Sequence, residues 1–243
     1  MQAQVSDSTK NMLSLSYDYS HFQKQFEDDW HITSLEYKRQ LSSSALLGRI
    51  NYGNRFHQSG WQGEIEAYPK LSKTVYAYAG IGFSNDLPIF PKWRTGTSLF
   101  VSLPKAWEVE GGFRHLHFTE SVWLSTAGLS KYVGNWLFNI RSFISFEDIS
   151  NNQSYFVSAR RYFKNEVDHA WLQIGSGISP DESRNIQIGS TNSLSSRRIM
   201  AGAKFSVSKN TQLLLSAGWF RNEFQKATYD NQLYTTIGVS QRF

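Results

Sequence analysis

The sequence has no cysteine, which excludes a disulfide framework and any thiolate metal site. It also lacks a long apolar run. The longest candidate, Leu213 to Phe220, is broken by Ser216 and Gly218 and falls well short of the ~18 residues a membrane-spanning helix needs. No charge of one sign dominates: the net charge is +5 and the basic residues are scattered, so nucleic acid is not an expected partner. No signal peptide is visible, and Met1-Gln2-Ala3-Gln4 reads as a mature end carrying a start Met. Helix signals are poor, and no repeat, linker or low-complexity stretch divides the chain. One domain over 1–243 is expected, with 1–11 as a short periplasmic N-terminal segment. Nothing calls for a cofactor.

Aromatic residues and alternation are present instead. The chain has 8 Trp, 12 Tyr and 17 Phe, yet its mean hydropathy is −0.44. That combination suits surfaces that alternate rather than a thick core. Leu13, Leu15, Tyr17 and Tyr19 alternate with Ser14, Ser16, Asp18 and Ser20, and the pattern recurs through 61–68, 74–83, 136–145, 213–219 and 233–242. Successive strand residues face opposite ways, so each segment has an apolar and a polar side. A soluble sandwich alternates too. Here many segments approach the ~9–11 residues that cross a bilayer at a tilt.

The expected fold is all-β: a transmembrane antiparallel up-and-down barrel of fourteen strands, with twelve as the alternative. The fourteen are 12–22, 29–39, 44–56, 60–69, 74–84, 94–103, 106–118, 121–132, 135–147, 153–163, 168–178, 197–207, 211–222 and 231–243. With the N-terminus in the periplasm, the short connections fall inside and the longer ones outside, among them 85–93, 179–196 and 223–230. An epitope near Asn192 is then expected on the cell surface. Trp30, Trp61, Trp107, Trp123 and Trp219 lie near strand ends, as interfacial girdles require. Phe243 closes a final strand and resembles the terminal signal read by the barrel-assembly machinery. The implied partners are that machinery, the lipid bilayer and lipopolysaccharide.

The polar sides carry charge. Alternation points Asp18, Glu36, Lys38, Arg49, Glu64, Glu66, Glu108, Glu110, Arg114, Arg141, Arg160 and Lys204 inward. Charge facing lipid costs ~2–4 kcal/mol at the midplane, so these groups belong to the lumen and are expected to pair there. They form either a selective pathway or a network that fills the barrel. Glu64 and Glu66, like Glu108 and Glu110, share one strand face. Such pairs serve acid–base chemistry in glycoside hydrolysis, but they equally answer Arg49, Arg114 and Arg141. His115 and His117 share the opposite face, where a place at the outer rim fits better than the membrane core.

The stretches LSLSYDYSHF (13–22), EYKRQ (36–40), EIEAYPKLSKTVYAYAGIGFSND (64–86), IFPKWR (89–94), EVEGGFRHLHF (108–118), SARRYF (158–163) and ISPDE (178–182) resemble the YaiO-type outer-membrane barrel domain. The resemblance implies an outer-membrane location and supplies no catalytic residues. It also associates the chain with polysaccharide synthesis functions. The leading expectation is a non-enzymatic channel or envelope component tied to polysaccharide handling, with polysaccharide or envelope proteins as further partners. The alternatives are a barrel-embedded enzyme acting on lipid A or glycan, and an adhesin using its external loops.

Overall fold

A sheet whose strands are apolar on one side and polar on the other shelters its polar side, and loses its unpaired edges, by closing on itself. The computed structural model describes residues 10–145, 153–163, 165, 167–177, 179–181, 196–225 and 227–243. It is a closed antiparallel barrel of fourteen strands. In chain order these are β1 (Asn11–Phe22), β2 (Trp30–Gln40), β3 (Ala45–Arg55), β4 (Gln58–Ala67), β5 (Val75–Phe83), β6 (Trp93–Leu103), β7 (Trp107–His117), β8 (Ser121–Val133), β9 (Trp136–Ser145), β10 (Gln153–Tyr162), β11 (His169–Ser176), β12 (Ser196–Ser206), β13 (Thr211–Gln225) and β14 (Thr228–Arg242). Each strand pairs with its neighbours in sequence. β14 returns to β1, from Met12 opposite Arg242 to Phe22 opposite Gln232. Asn11 already belongs to β1, and residues 1–9 of the expected N-terminal segment lie outside the described residues.

The outward side is an apolar belt that includes Leu15, Ile50, Ile65, Ile81, Ile140 and Ile237. Trp61, Trp93, Trp123 and Trp219 edge it towards the long connections, and Trp107, Trp136 and Phe243 towards the short ones. Two such girdles mark the membrane interfaces. Trp30 departs from the expected girdle: it is 5% exposed and faces the lumen. Parity explains this, because Trp30, Ile32 and Ser34 share the buried side of β2 while Leu35 and Tyr37 face out.

The even-numbered connections are short, and by the usual asymmetry of these barrels they face the periplasm. The external loop expected at 223–230 is instead strand. β13 and β14 continue to Gln225 and from Thr228, leaving two residues to turn. Asn192, the expected surface epitope, lies outside the described residues.

Gly134 (φ 56°) makes the tight turn between β8 and β9, but two other tight turns use residues with a side chain. Phe56 and His57 between β3 and β4 have φ of 55° and 56°, and Lys105 and Ala106 between β6 and β7 have φ of 60° and 59°. Left-handed backbone costs a residue with a Cβ ~1–2 kcal/mol. Ala106→Gly is therefore expected to stabilise the barrel by ~1 kcal/mol, less the chain entropy glycine adds to the unfolded state. Urea unfolding in detergent measures this, and an unchanged or lowered midpoint rejects it.

Candidate functional site

The lumen is built from the inward positions of the wall. Glu36 on β2, Arg49 on β3 and Glu64 on β4 stand directly opposite one another in register. Such neighbours have Cβ atoms ~4.5–5.5 Å apart, so a salt bridge forms by default. Arg49 donates from Nε and Nη2 to Glu36 Oε2 at 3.0 and 2.6 Å, and from Nη1 to Glu64 Oε2 at 2.8 Å. Glu66 Oε1 lies 3.7 Å from the same nitrogen, and Glu66 Oε2 accepts the Tyr68 hydroxyl at 3.0 Å. Arg94 on β6 donates to the other Glu64 oxygen at 2.9 Å.

A second cluster occupies β7 to β9. Glu110 accepts the Ser98 hydroxyl at 2.9 Å, and its other oxygen takes Arg141 Nε and Nη2 at 2.8 and 2.7 Å. Gly128 lies between Glu110 and Arg141 in the register, and a Cβ there would stand 2.9 Å from the carboxylate oxygen. The missing side chain is what lets the pair meet. Arg114 packs over the Tyr78 ring at 4.8 Å and donates to the Thr97 carbonyl, the Phe113 carbonyl and the Ser98 hydroxyl. The charges thus fall into two clusters that adjoin at Tyr78, not into a single ion-paired network.

Asp181 completes the second cluster from elsewhere. It belongs to the β11–β12 connection, yet its carboxylate accepts Arg114 Nε at 2.5 Å and Arg141 Nη1 at 3.3 Å. The preceding Pro180 is fully buried against Glu64, Glu66, Tyr78, Arg94, Arg114 and Leu116. β4 and β11 are half a turn apart in the wall, so Pro180 reaches across the lumen from its own strand. About 10 Å³ remains free at the seam, roughly the volume that admits one water.

Above the charges, towards the long connections, the inward side turns apolar. Phe22, Trp30, Ile32, Leu116, Phe143 and Phe156 are all buried. The β5–β6 loop folds in among them and brings Ile89 and Phe90 against Ile32. Arg55 is held between the Trp30 and Phe90 rings at 5.0 and 5.6 Å. Gly53 leaves room for this loop, because a Cβ there would lie 2.8 Å from Phe90. Arg198 lies over Phe156 and Phe220 at 4.3 and 5.5 Å.

The other inward charges sit apart. Asp18 accepts the Tyr234 and Thr236 hydroxyls, both at 2.6 Å, and Glu108 accepts Tyr76 at 3.2 Å. Lys38, Arg160 and Lys204 were expected to pair, but among the described residues they have no carboxylate partner. They stand near the short-turn ends of their strands and are half-buried there. Phe243 exchanges backbone hydrogen bonds with Asn11 at 3.0 and 3.2 Å, fastening the β1–β14 seam.

His115 and His117 face outward at the end of β7. Their ring nitrogens lie 3.2 and 3.0 Å from the Ser121 hydroxyl, and His115 stacks on Trp123 at 4.1 Å. No group of three potential metal ligands occurs among the described residues. At the same rim Asp29 lies below the usual carboxylate range, chiefly because the Tyr19 hydroxyl donates to it and also because His21 pairs with it.

Asp181, Arg94, Tyr78 and the apolar outer layer were not among the expected site residues. Arg94 and the apolar layer follow from strand parity once the strand starts are placed correctly. Asp181 sits in a connection, where no period marks it.

Comparisons with known proteins agree with this geometry. A family model described as "YaiO membrane beta barrel domain" matches residues 10–182. No curated protein matches the sequence. Among solved structures, the "CymD monoaromatic hydrocarbon channel" is 9% identical with a TM-score of 0.63, over 97% of this chain and 89% of that one. The Acinetobacter baumannii outer membrane protein Omp33 is 9% identical with a TM-score of 0.57, over 97% and 98%. Pseudomonas aeruginosa OpdO is 10% identical with a TM-score of 0.52, over 96% of each chain. At these identities the shared feature is the fold.

Proposed function

This chain belongs to the YaiO membrane β-barrel family and resides in the bacterial outer membrane, and from that premise we propose that it is a narrow channel for small solutes, held shut by Pro180 and Asp181 of its β11–β12 connection. The observation that carries the reading is Asp181 bridging Arg114 and Arg141 inside the lumen, with Pro180 buried beside Glu64 of β4 on the far side. A fourteen-strand wall lies between the ~8-stranded barrels that side chains fill and the 16–18-stranded porins that hold an aqueous channel. Such a wall needs an inserted segment to close it. The buried aromatic layer adds an apolar zone of the kind that gates by dewetting.

The reading takes small solutes rather than a polysaccharide chain, because the outer half of the lumen is filled by side chains and by the β5–β6 loop. An enzyme acting on glycan is disfavoured by the state of its candidate acids: Glu64 and Glu110 are each held by two basic or hydroxyl donors. The test is single-channel current in planar bilayers. The wild type should show small or infrequent openings, and Asp181→Asn should raise open time or conductance several-fold. Identical silence from both proteins would reject the channel.

A further inference from the structure

We propose that the short-turn half of the lumen is a binding vestibule for small polyanions, formed by Lys38, Arg160, Lys204 and Arg242. This rests on the channel reading for its place in a pathway, but it concerns a different layer of the barrel. The argument begins with how the inward charges are sorted. The carboxylates of the mid-lumen are engaged: Glu36 and Glu64 by Arg49, Glu110 by Arg141, Asp181 by Arg114. They sit with their arginines on the β2–β9 side. The four cations named above stand on β2, β10, β12 and β14, and among the described residues none has an acidic partner.

Register turns this list into a surface. Lys38 and Arg242 both face Met12 of β1, one from each side. Lys204 faces His169 of β11, and Arg160 faces Trp171 of the same strand. The cation-bearing strands are next-but-one neighbours along one arc, ~10 Å apart at twice the ~4.7–4.9 Å strand spacing; along the strands Lys38 and Arg242 are level, Arg160 is level with Gly202 two residues from Lys204, and Lys204 is level with Gly238 four residues from Arg242. Lys38 and Arg242, level on either side of Met12, can grip one anion from two sides. All four are half-buried, so solvent reaches them. Their nearest inward carboxylate along β2, Glu36, is already held by Arg49 at 2.6 Å.

An arc of positive charge against low-dielectric walls concentrates anions. A single carboxylate would meet one cation and gain little in water. A solute with two or three carboxylate or phosphate groups spans neighbouring positions and gains from each. Trp171, inward between Arg160 and Gly202, supplies a flat apolar wall beside the charges. The apolar outer layer and the Pro180 seam lie beyond, so access is from the periplasmic side.

The test uses citrate as the probe and the whole barrel folded in detergent, at constant ionic strength set with chloride. Citrate should raise the thermal midpoint of the wild type, with spermidine having no such effect. Lys38→Gln with Lys204→Gln should weaken citrate binding at least tenfold while leaving the folded band on a heat-modifiable gel unchanged. The quadruple variant with Arg160→Gln and Arg242→Gln should abolish it. An equal citrate response in wild type and both variants overturns the proposal, as does a wild-type response no larger than that of chloride. Citrate binding without any current would remove the channel reading alone. Current through Asp181→Asn without citrate binding would remove this proposal alone.

Discussion

Replacing Arg114 by alanine is expected to lower the stability of the barrel in detergent by ~3–5 kcal/mol and to unlock its lumen. The guanidinium side chain is 6% exposed and is used on every side: Asp181 and Glu110 by charge, Thr97, Phe113 and Ser98 by hydrogen bonds, Tyr78 by its ring. Its removal leaves a void beside Gly96 and strips Asp181 of its shorter ion pair. Arg141→Ala should be milder, because that side chain is 30% exposed and solvent screens it. Both variants should raise single-channel current, since each removes one of the two cations that hold Asp181. The measurements are thermal unfolding and planar-bilayer recording. If neither responds to Arg114→Ala, the seam at Asp181 does not close the lumen.

The second large effect is on the lipid face. Ile140 on β9 is 54% exposed and stands opposite Leu129 and Val157, which face outward with it. Ile140→Arg should cost ~2–4 kcal/mol, as charge at the membrane midplane does, and should reduce the folded fraction on assembly. Asn139, one residue earlier, faces the lumen and donates to the Ser130 hydroxyl at 2.9 Å. Asn139→Arg replaces one polar group with another in a solvated space and should be close to neutral. Urea midpoints and gel mobility distinguish the two. Equal losses would mean that the faces of β9 are reversed.

Alternation made most of this fold readable in advance. Glu36, Arg49 and Glu64 could be placed in the lumen from period alone, and register then made them neighbours. What escaped has specific causes. Trp30 was placed in a girdle because proximity to a strand end is a weaker signal than parity along the strand. The β13–β14 hairpin was read as a loop because its turn carries no Gly, Pro or Asn. Ala227 takes the positive φ of 61° instead. Three inward cations were expected to pair, but sequence shows only which way they point, not that every mid-lumen carboxylate is already taken. Asp181 was unreadable: a connection has no period, and its partners stand two and four strands away from β11.

That contact has a thermodynamic consequence. Asp181 is covalently part of a connection on the side of the long loops, while its arginines stand in the wall. On the proposed channel reading, any external molecule that binds the β11–β12 connection more tightly when Asp181 is released must shift the lumen towards its open form. By reciprocity, a solute that prefers the open lumen must tighten that external binding by the same factor. A ligand with equal affinity for both forms, however strong, would transmit nothing.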